Sequence, residues 1–409
     1  MLEKIYTYIE SSTANLVELE TELCKRPALS PDSGGVGELD KVEFLQSWLK
    51  AHGITQLERH DAPDSRAKGG VRPNLIATIP GKSDTRRLWI MSHTDVVPPG
   101  ELSLWNNDPW QVVVKDGRLI GRGVEDNQQG LTSSVLAALA LVQQGITPPH
   151  TVKLLFVADE EMGSEYGIQW LLANRNLFRP DDMVVIPDGG DERGETIEVA
   201  EKNLLWLKIK TQGKQCHGSR PDQGANAHLA ACELAVRLHD ELPLRFNAHN
   251  TLFDPDYSTF EPTKHEANVP NVNTIPGDDV FYMDMRVLPQ YPLQDVLAEV
   301  DRIMTEVSKK RGVEMSYEAL QRVESRATSP DAPLVQFLSR AVKQVYGVDT
   351  RPIGIGGGTV GAYLRNVGID SVVWGRLHES AHQPNEYALI ENIIGDAKVM
   401  ATLMMEERK

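Results

Sequence analysis

The sequence predicts an α/β protein with a mostly parallel central sheet and a smaller βαββαβ domain of ferredoxin-like type inserted into it. Three observations carry this. Apolar runs alternate with helical patterns through the first half of the 409-residue chain, as helix-covered parallel sheets require. The rhythm changes between residues 200 and 322 to strand, helix, strand, strand, helix, strand. After residue 322 another apolar run, "IDSVVWGRL", returns to the first pattern.

Each element has a local reason. "RRLWIMSHTDVV" (86–97), "TVKLLFVADEE" (151–161), "DMVVIPDGG" (182–190) and "IDSVVWGRL" (369–377) are short apolar runs ending in polar or glycine residues, the pattern of buried strands. "QGLTSSVLAALALVQQG" (129–145) and "EYGIQWLLANRNL" (165–177) read as the helices between them, and residues 1–26 as one amphipathic helix. In the insertion, "LLWLKIKTQG" (204–213), "TLFDPDYSTFEP" (251–262), "DVFYMDMRVL" (279–288) and "VEMSYEAL" (313–320) read as strands. "NAHLAACELAVRLHDEL" (226–242) and "LQDVLAEVDRIMTEVSKKRG" (293–312) read as its helices. The expected domains are therefore 1–199 with 323–409, and 200–322.

Composition narrows the partners. A net charge of −16 argues against nucleic acid, which needs clustered Lys and Arg. No apolar stretch approaches membrane-spanning length, so no membrane partner is expected. Three scattered cysteines give neither a disulfide framework nor a thiolate zinc pattern, and a reduced, cytoplasmic protein is expected.

The chemistry gathers at the strand ends, where open α/β sheets bind ligands. In "LLFVADEEMGSE" an apolar run stops at three acids, Asp159, Glu160 and Glu161. They repel one another, and burying them requires compensation. His93 and Asp95 stand two apart on one strand and share a face. Asp126 occupies a glycine-flanked turn before a helix, Asp188 precedes two glycines, and His378 and His382 follow the last strand. Taken singly, each has an ordinary explanation: a satisfied core histidine, an N-cap, a turn residue. Together, two imidazoles and three carboxylates suit one or two borderline divalent cations such as zinc, which would also compensate the three acids.

His93-Thr94-Asp95, "GRGVEDNQQG", "ADEE", "IPDGG" and "AHQPNE" resemble the motifs of the di-zinc aminoacylase and carboxypeptidase family of metallopeptidases. That family includes succinyl-diaminopimelate desuccinylase, acetylornithine deacetylase, glutamate carboxypeptidase and several dipeptidases. The resemblance covers nearly the whole chain and implies a zinc-peptidase-like catalytic domain with a lid and dimerisation domain. It implies two divalent ions, Zn2+ first and Co2+ or Mn2+ as alternates. Asp126 would bridge them, with His93 and Asp188 on one side and Glu161 and His382 on the other. Asp95 would orient His93, and Glu160 would be the general base.

"GKQCHGSRPDQGANAH" (213–228) resembles the family stretch whose histidine reaches the partner subunit's active site, which gives His217 an oxyanion-stabilising role. Arg286 in "DMR" falls where the family binds a substrate carboxylate, for which a guanidinium is well shaped. Asn273 is a polar candidate of the same kind. "GIGGGTVGAYLRN" (354–366) is neither a dinucleotide fingerprint nor a P-loop. Its Gly357, Gly358 and Thr359 are expected on the substrate side. The resemblance implies a homodimeric amidohydrolase acting on a small N-acyl amino acid, as a deacylase of the desuccinylase or deacetylase type. A dipeptidase or carboxypeptidase is the alternative, because Asp188 stands where deacylases usually carry Glu and dipeptidases Asp. A non-catalytic metal-binding scaffold is the distant one.

Overall fold

The computed structural model describes residues 1–407. The chain packs as two compact units, the first formed by Met1–Val199, Thr328–Pro352 and Tyr363–Lys409, the second by Ala200–Ala327 and Ile353–Ala362. Among the described residues no helix is long and apolar enough to cross a membrane.

The first unit is built on an eight-stranded mixed sheet. In spatial order its strands are Leu57–Pro63, Val71–Ile79, His150–Val157, Ser83–His93, Met183–Ile186, Asp370–Val373, Thr196–Glu201 and Arg351–Ile355. The four strands from His150–Val157 to Asp370–Val373 are mutually parallel, and antiparallel neighbours flank them. The strand His150–Val157 is buried at every position but Lys153, as its unbroken apolar run predicts. Parallel strands place their carboxyl ends side by side, so His93, the turn after Val157 and the turn after Ile186 reach one edge.

The helix Gln128–Gln143 explains its own sequence. It is buried from Gln128 through Leu141, on all faces, between the strand Ser83–His93 and the C-terminal helix Ile390–Met404. A helix enclosed in this way is apolar all round and has little amphipathic pattern. Gly130 lies where a Cβ would meet the Pro187 carbonyl oxygen at 2.1 Å, so glycine lets the helix start against the strand end that carries Asp188.

Two elements differ from expectation. Residues 1–26 form two helices, Leu2–Ser11 and Thr13–Cys24. The break falls at Ser12, whose hydroxyl donates to the Tyr8 carbonyl at 2.7 Å, a local bond that competes with the helical ladder. The strand read over 251–262 begins only at Thr259 and runs to His265. Pro255 has no N–H to give a ladder, and residues 251–257 form turns instead.

The second unit has the sheet order Thr259–His265, Asp278–Val287, Asn203–Gln212, Glu314–Val323, antiparallel throughout. Numbered along the chain this is 2-3-1-4, the ferredoxin-like arrangement. The alternating burial of Asp278–Val287 turns Phe281, Met283 and Met285 toward a core shared with Leu234 and Leu238 of one helix and Val296, Val300 and Ile303 of the other. Residues 353–362 join this unit through Lys202 N–H donating to the Ile355 carbonyl at 2.9 Å and Arg286 Nη1 donating to the Gly356 carbonyl at 2.7 Å.

Glu20 lies fully buried under the start of the helix Gln128–Gln143, with the Gln128 side-chain amide 3.2 Å from both its carbonyl and its Oε2. Burial pushes its carboxyl from the ordinary 4.5 up to about 8. The folded chain therefore keeps a proton there that the unfolded chain gives up above 4.5. This stabilisation is complete below 4.5 and is lost as pH rises through 8, at up to about 1.4 kcal/mol per pH unit. Denaturant midpoints measured from pH 5 to 9 should fall with rising pH, and Glu20→Gln should flatten that fall. An identical slope in the variant would show that Glu20 takes up no proton on folding and that its carboxyl is not raised by burial.

Candidate metal centre

Asp126 stands between two imidazoles. Its Oδ1 lies 2.9 Å from His93 Nε2 and its Oδ2 3.1 Å from His382 Nε2. His93 Nε2 is also 3.6 Å from Asp188 Oδ1, and His382 Nε2 is 3.1 Å from Glu161 Oε2. Two triads result, His93–Asp126–Asp188 and Asp126–Glu161–His382, each with its donor atoms within 4.8 Å of one another. They share Asp126, which turns one oxygen toward each. Imidazole nitrogens and carboxylate oxygens converging in this way fit borderline divalent cations.

Charge is concentrated here. Burial alone would lower the His93 imidazole, but the Asp188 charge and hydrogen bonds to Asp126, Asp188 and Asp95 carry it well above its ordinary value. Hydrogen bonds to Asp126 and then Glu161 raise His382 to about 10. Burial tends to raise Asp126, but its bonds to His382 and His93 hold it well below the usual carboxylate range. Glu161 and Asp188 are raised, first by burial. These are the protonation preferences of ligands facing one another, and they mark where positive charge is most needed.

The outer contacts fix the donors. His93 Nδ1 lies 3.0 Å from the Asp95 carbonyl and 3.4 Å from Asp95 Oδ1, which leaves Nε2 aimed at the cluster. Asp95 Oδ1 accepts from Glu160 N–H at 3.1 Å and its Oδ2 from Glu161 N–H at 3.0 Å. Asn127 Nδ2 donates to Asp188 Oδ1 at 2.7 Å and to the Pro187 carbonyl at 2.6 Å. Glu386, fully buried, pairs with Arg122 Nη1 at 2.6 Å and accepts from the N–H groups of Gly123, Glu125 and Asp126 at 3.0–3.1 Å. Glu125 accepts from His378 N–H at 2.6 Å and from the Ser380 hydroxyl at 2.6 Å, fixing the loop that carries His382.

The three acids after Val157 divide. Asp159 adopts a left-handed φ of 65° and turns away from the cluster, where Arg72 Nη2 meets its Oδ1 at 3.1 Å and Tyr166 N–H its Oδ2 at 3.1 Å. Its compensation is a buried guanidinium, shared with Glu38 at 2.7 Å, and not a cation at the strand ends. Glu161 joins His382. Glu160 has no hydrogen bond or ion pair on its carboxylate, the only one of the acids gathered here of which this is true among the described residues. Burial first, then the charge of Asp188, raises it well above the ordinary value. His378 stays outside both triads, its Nδ1 3.6 Å from Glu192 Oε1.

The other candidates belong to the second unit. His217 is exposed in a two-residue strand paired with Thr274–Ile275, and Gly218 N–H donates to the Asn273 carbonyl at 2.7 Å, so His217 and Asn273 are neighbours. Ser219 N–H donates to His217 Nδ1 at 3.2 Å, which leaves the proton of the neutral ring on Nε2. Arg286 forks onto Asp284 at 2.6 and 2.9 Å. Thr359 donates its hydroxyl to Glu201, and a Cβ built on Gly358 would meet only open space.

Sequence reasoning passed over Glu386, Arg122, Glu125, Asn127 and Arg72. Four of these stand inside motifs it had singled out, "GRGVEDNQQG" and "AHQPNE", where several polar residues in one short glycine-flanked turn signal a supporting shell. Arg72 had no such signal.

Comparison with known proteins agrees with this geometry. The chain is 38% identical over 408 residues to an uncharacterized metallohydrolase of Methanococcus maripaludis, covering 95% of this chain and 98% of that one. It is 27% identical over 384 residues to the succinyl-diaminopimelate desuccinylase of Wolinella succinogenes, covering 92% and 96%. Among solved structures, the dipeptidase Dug1p of Saccharomyces cerevisiae superposes with a TM-score of 0.75 at 17% identity, covering 99% of this chain and 98% of that one, a likeness of fold. Residues 89–406 match the peptidase family M20/M25/M40, a span that takes in both triads and the whole second unit; the chain belongs to that family and is a metal-dependent hydrolase.

Proposed function

We propose that this hydrolase cleaves an amide bond in a small carboxylate-bearing substrate, as an N-acyl-amino-acid deacylase of the desuccinylase or deacetylase type. The observation that carries the reading is Glu160, a carboxylate with no hydrogen-bond or ion-pair partner among the described residues, made more basic by burial, beside two donor triads that share Asp126. A general base has to be free to receive a proton and basic enough to hold it.

On this reading His93, Asp188 and Asp126 hold one divalent cation and Glu161, His382 and Asp126 the other, with Zn2+ the best match to the donors and Co2+ or Mn2+ alternates. Bound there, the ions supply Lewis acidity toward water and a carbonyl oxygen. Glu160 takes the proton of the attacking water and returns it to the leaving amine. Asp95 keeps the His93 ring and both glutamate amides in place. His217 offers Nε2–H to the developing oxyanion, acting across a homodimer of a cytoplasmic enzyme. Arg286, Asn273 and the Gly357-Gly358-Thr359 turn hold the substrate carboxylate, and Arg286 exchanges Asp284 for it. Asp188 favours a second reading, a dipeptidase or carboxypeptidase, for the reason given from the sequence.

Hydrolysis by the zinc-loaded protein across N-succinyl and N-acetyl amino acids, free dipeptides and C-terminally blocked dipeptides separates the readings. Turnover of the acyl amino acids alone is expected. Turnover of dipeptides alone would move the assignment to the second reading, and silence with full metal content would leave a metal-binding scaffold. Glu160→Gln should keep its metal and lose about 10²–10⁴-fold in kcat; a fully active variant removes Glu160 from the mechanism. Inactive His217→Ala and Glu160→Gln subunits should regain part of the activity when mixed, and no recovery despite subunit exchange would count against action across the dimer.

A further inference from the structure

Two imidazoles also converge on a buried carboxylate in the second unit. His228, near the start of the helix Ala227–Arg245, places Nδ1 2.8 Å from Asp279 Oδ2. His265, the last residue of the strand Thr259–His265, places Nε2 2.7 Å from Asp279 Oδ1. The three donor atoms lie within 4.8 Å of one another. Both rings are half-exposed, whereas the Asp279 side chain is wholly buried. Cys232, one helical turn after His228 on the same face, brings Sγ to 3.7 Å from His228 Nε2.

We propose that His228, His265 and Asp279 form a separate Zn2+ site on the surface of the second unit. It is independent of the triads of the first unit and beyond the hydrolytic reaction. The donor set is the ground for it. Glu386, a carboxylate buried for structure, is met by backbone N–H groups and a guanidinium. At Asp279 neither Lys nor Arg among the described residues pairs with the carboxylate, and both oxygens are met by imidazole nitrogens.

Those atoms carry the lone pairs that bind zinc. Bonds of about 2.0–2.1 Å in a tetrahedral set separate neighbouring donors by about 3.3 Å, so the present 2.7 and 2.8 Å open by a few tenths through small ring rotations. Asn268 Nδ2 holds Asp279 Oδ2 at 2.8 Å, the supporting contact that orients a ligating carboxylate. Lys264, the neighbour of His265, has its ammonium 4.6 Å from the centre of the Tyr282 ring, on the opposite side of the strand by alternation. The site leaves a fourth position open, with Cys232 beside it. Zinc there would fasten the edge strand to the helix and add stability to this unit, since it binds the folded state alone.

The test is zinc content per chain of the full-length protein after chelator treatment, reloading with Zn2+ and gel filtration. His228→Ala and His265→Ala should each hold one zinc fewer than the wild type, with at least about 100-fold weaker binding of that equivalent and hydrolytic activity retained. The difference between proteins reads this site, so a first unit holding other than two ions leaves the test intact. His265→Cys, which restores a ligand, should recover the lost equivalent, which a folding defect would not. Equal zinc content in the wild type and both alanine variants would overturn the proposal, as would failure of a well-folded His265→Cys protein to regain the metal.

Discussion

Negative charge at the carboxyl ends of the parallel strands is the constraint on which the rest of the first unit depends. Asp95, Asp126, Glu160, Glu161 and Asp188 are brought to one sheet edge with only two imidazoles between them. In a low-dielectric setting such a group is tolerable only if each charge has a partner or a metal is shared among several. The directions of the pKa shifts record the conflict: Glu160, Glu161 and Asp188 are pushed toward neutrality while His93 and His382 are pushed toward charge. Divalent cations would resolve it, and among the described residues only the two imidazoles form ion pairs with these donors.

The surrounding shell keeps other positive charge out and still fixes the donors. Arg122 is buried against Glu386, which spends its remaining acceptor capacity on the turn that carries Asp126. Arg72 is buried among Glu38, Asp64 and Asp159. Each guanidinium is neutralised in place, and Glu125 performs the matching task for the loop before His382 through N–H and hydroxyl donors alone. Geometry is thereby transmitted from three distant segments of chain to one carboxylate, Asp126.

How much of this the sequence disclosed follows from how local each cause is. His93 and Asp95 are legible because a strand's period of two puts both on one face. The five donor residues are legible once the motifs are taken together, since they end strands or open turns, whereas their division into two triads follows from the family resemblance and not from spacing. Which of Glu125 and Asp126 faces the cluster is not legible from adjacent acids; the amides of residues 378–380 decide it. The separate fate of Asp159 is not legible, because Arg72 lies on a strand that no local pattern connects to it. The fork of Arg286 onto Asp284 is the opposite case, a same-face pair two residues apart on one strand that periodicity alone displays. The helix break at Ser12 rests on a single hydroxyl bond and leaves no mark on the apolar pattern.

The turn after Val157 shows how one backbone reversal assigns three neighbouring acids to three different tasks. The left-handed Asp159 takes the chain out of the strand direction, so its own carboxylate points back toward Arg72. The short 3-10 turn that follows, Glu160–Met162, presents two successive N–H groups to the two oxygens of Asp95. With both amides anchored, the two side chains diverge: Glu161 reaches His382, and Glu160 is left without a partner among the described residues. Asp95 therefore couples the orientation of His93 to the position of the free Glu160, since one residue contacts both. On the proposed mechanism the donor set and the base would be held by the same carboxylate, a coupling that an unbroken strand through residue 159 could not supply.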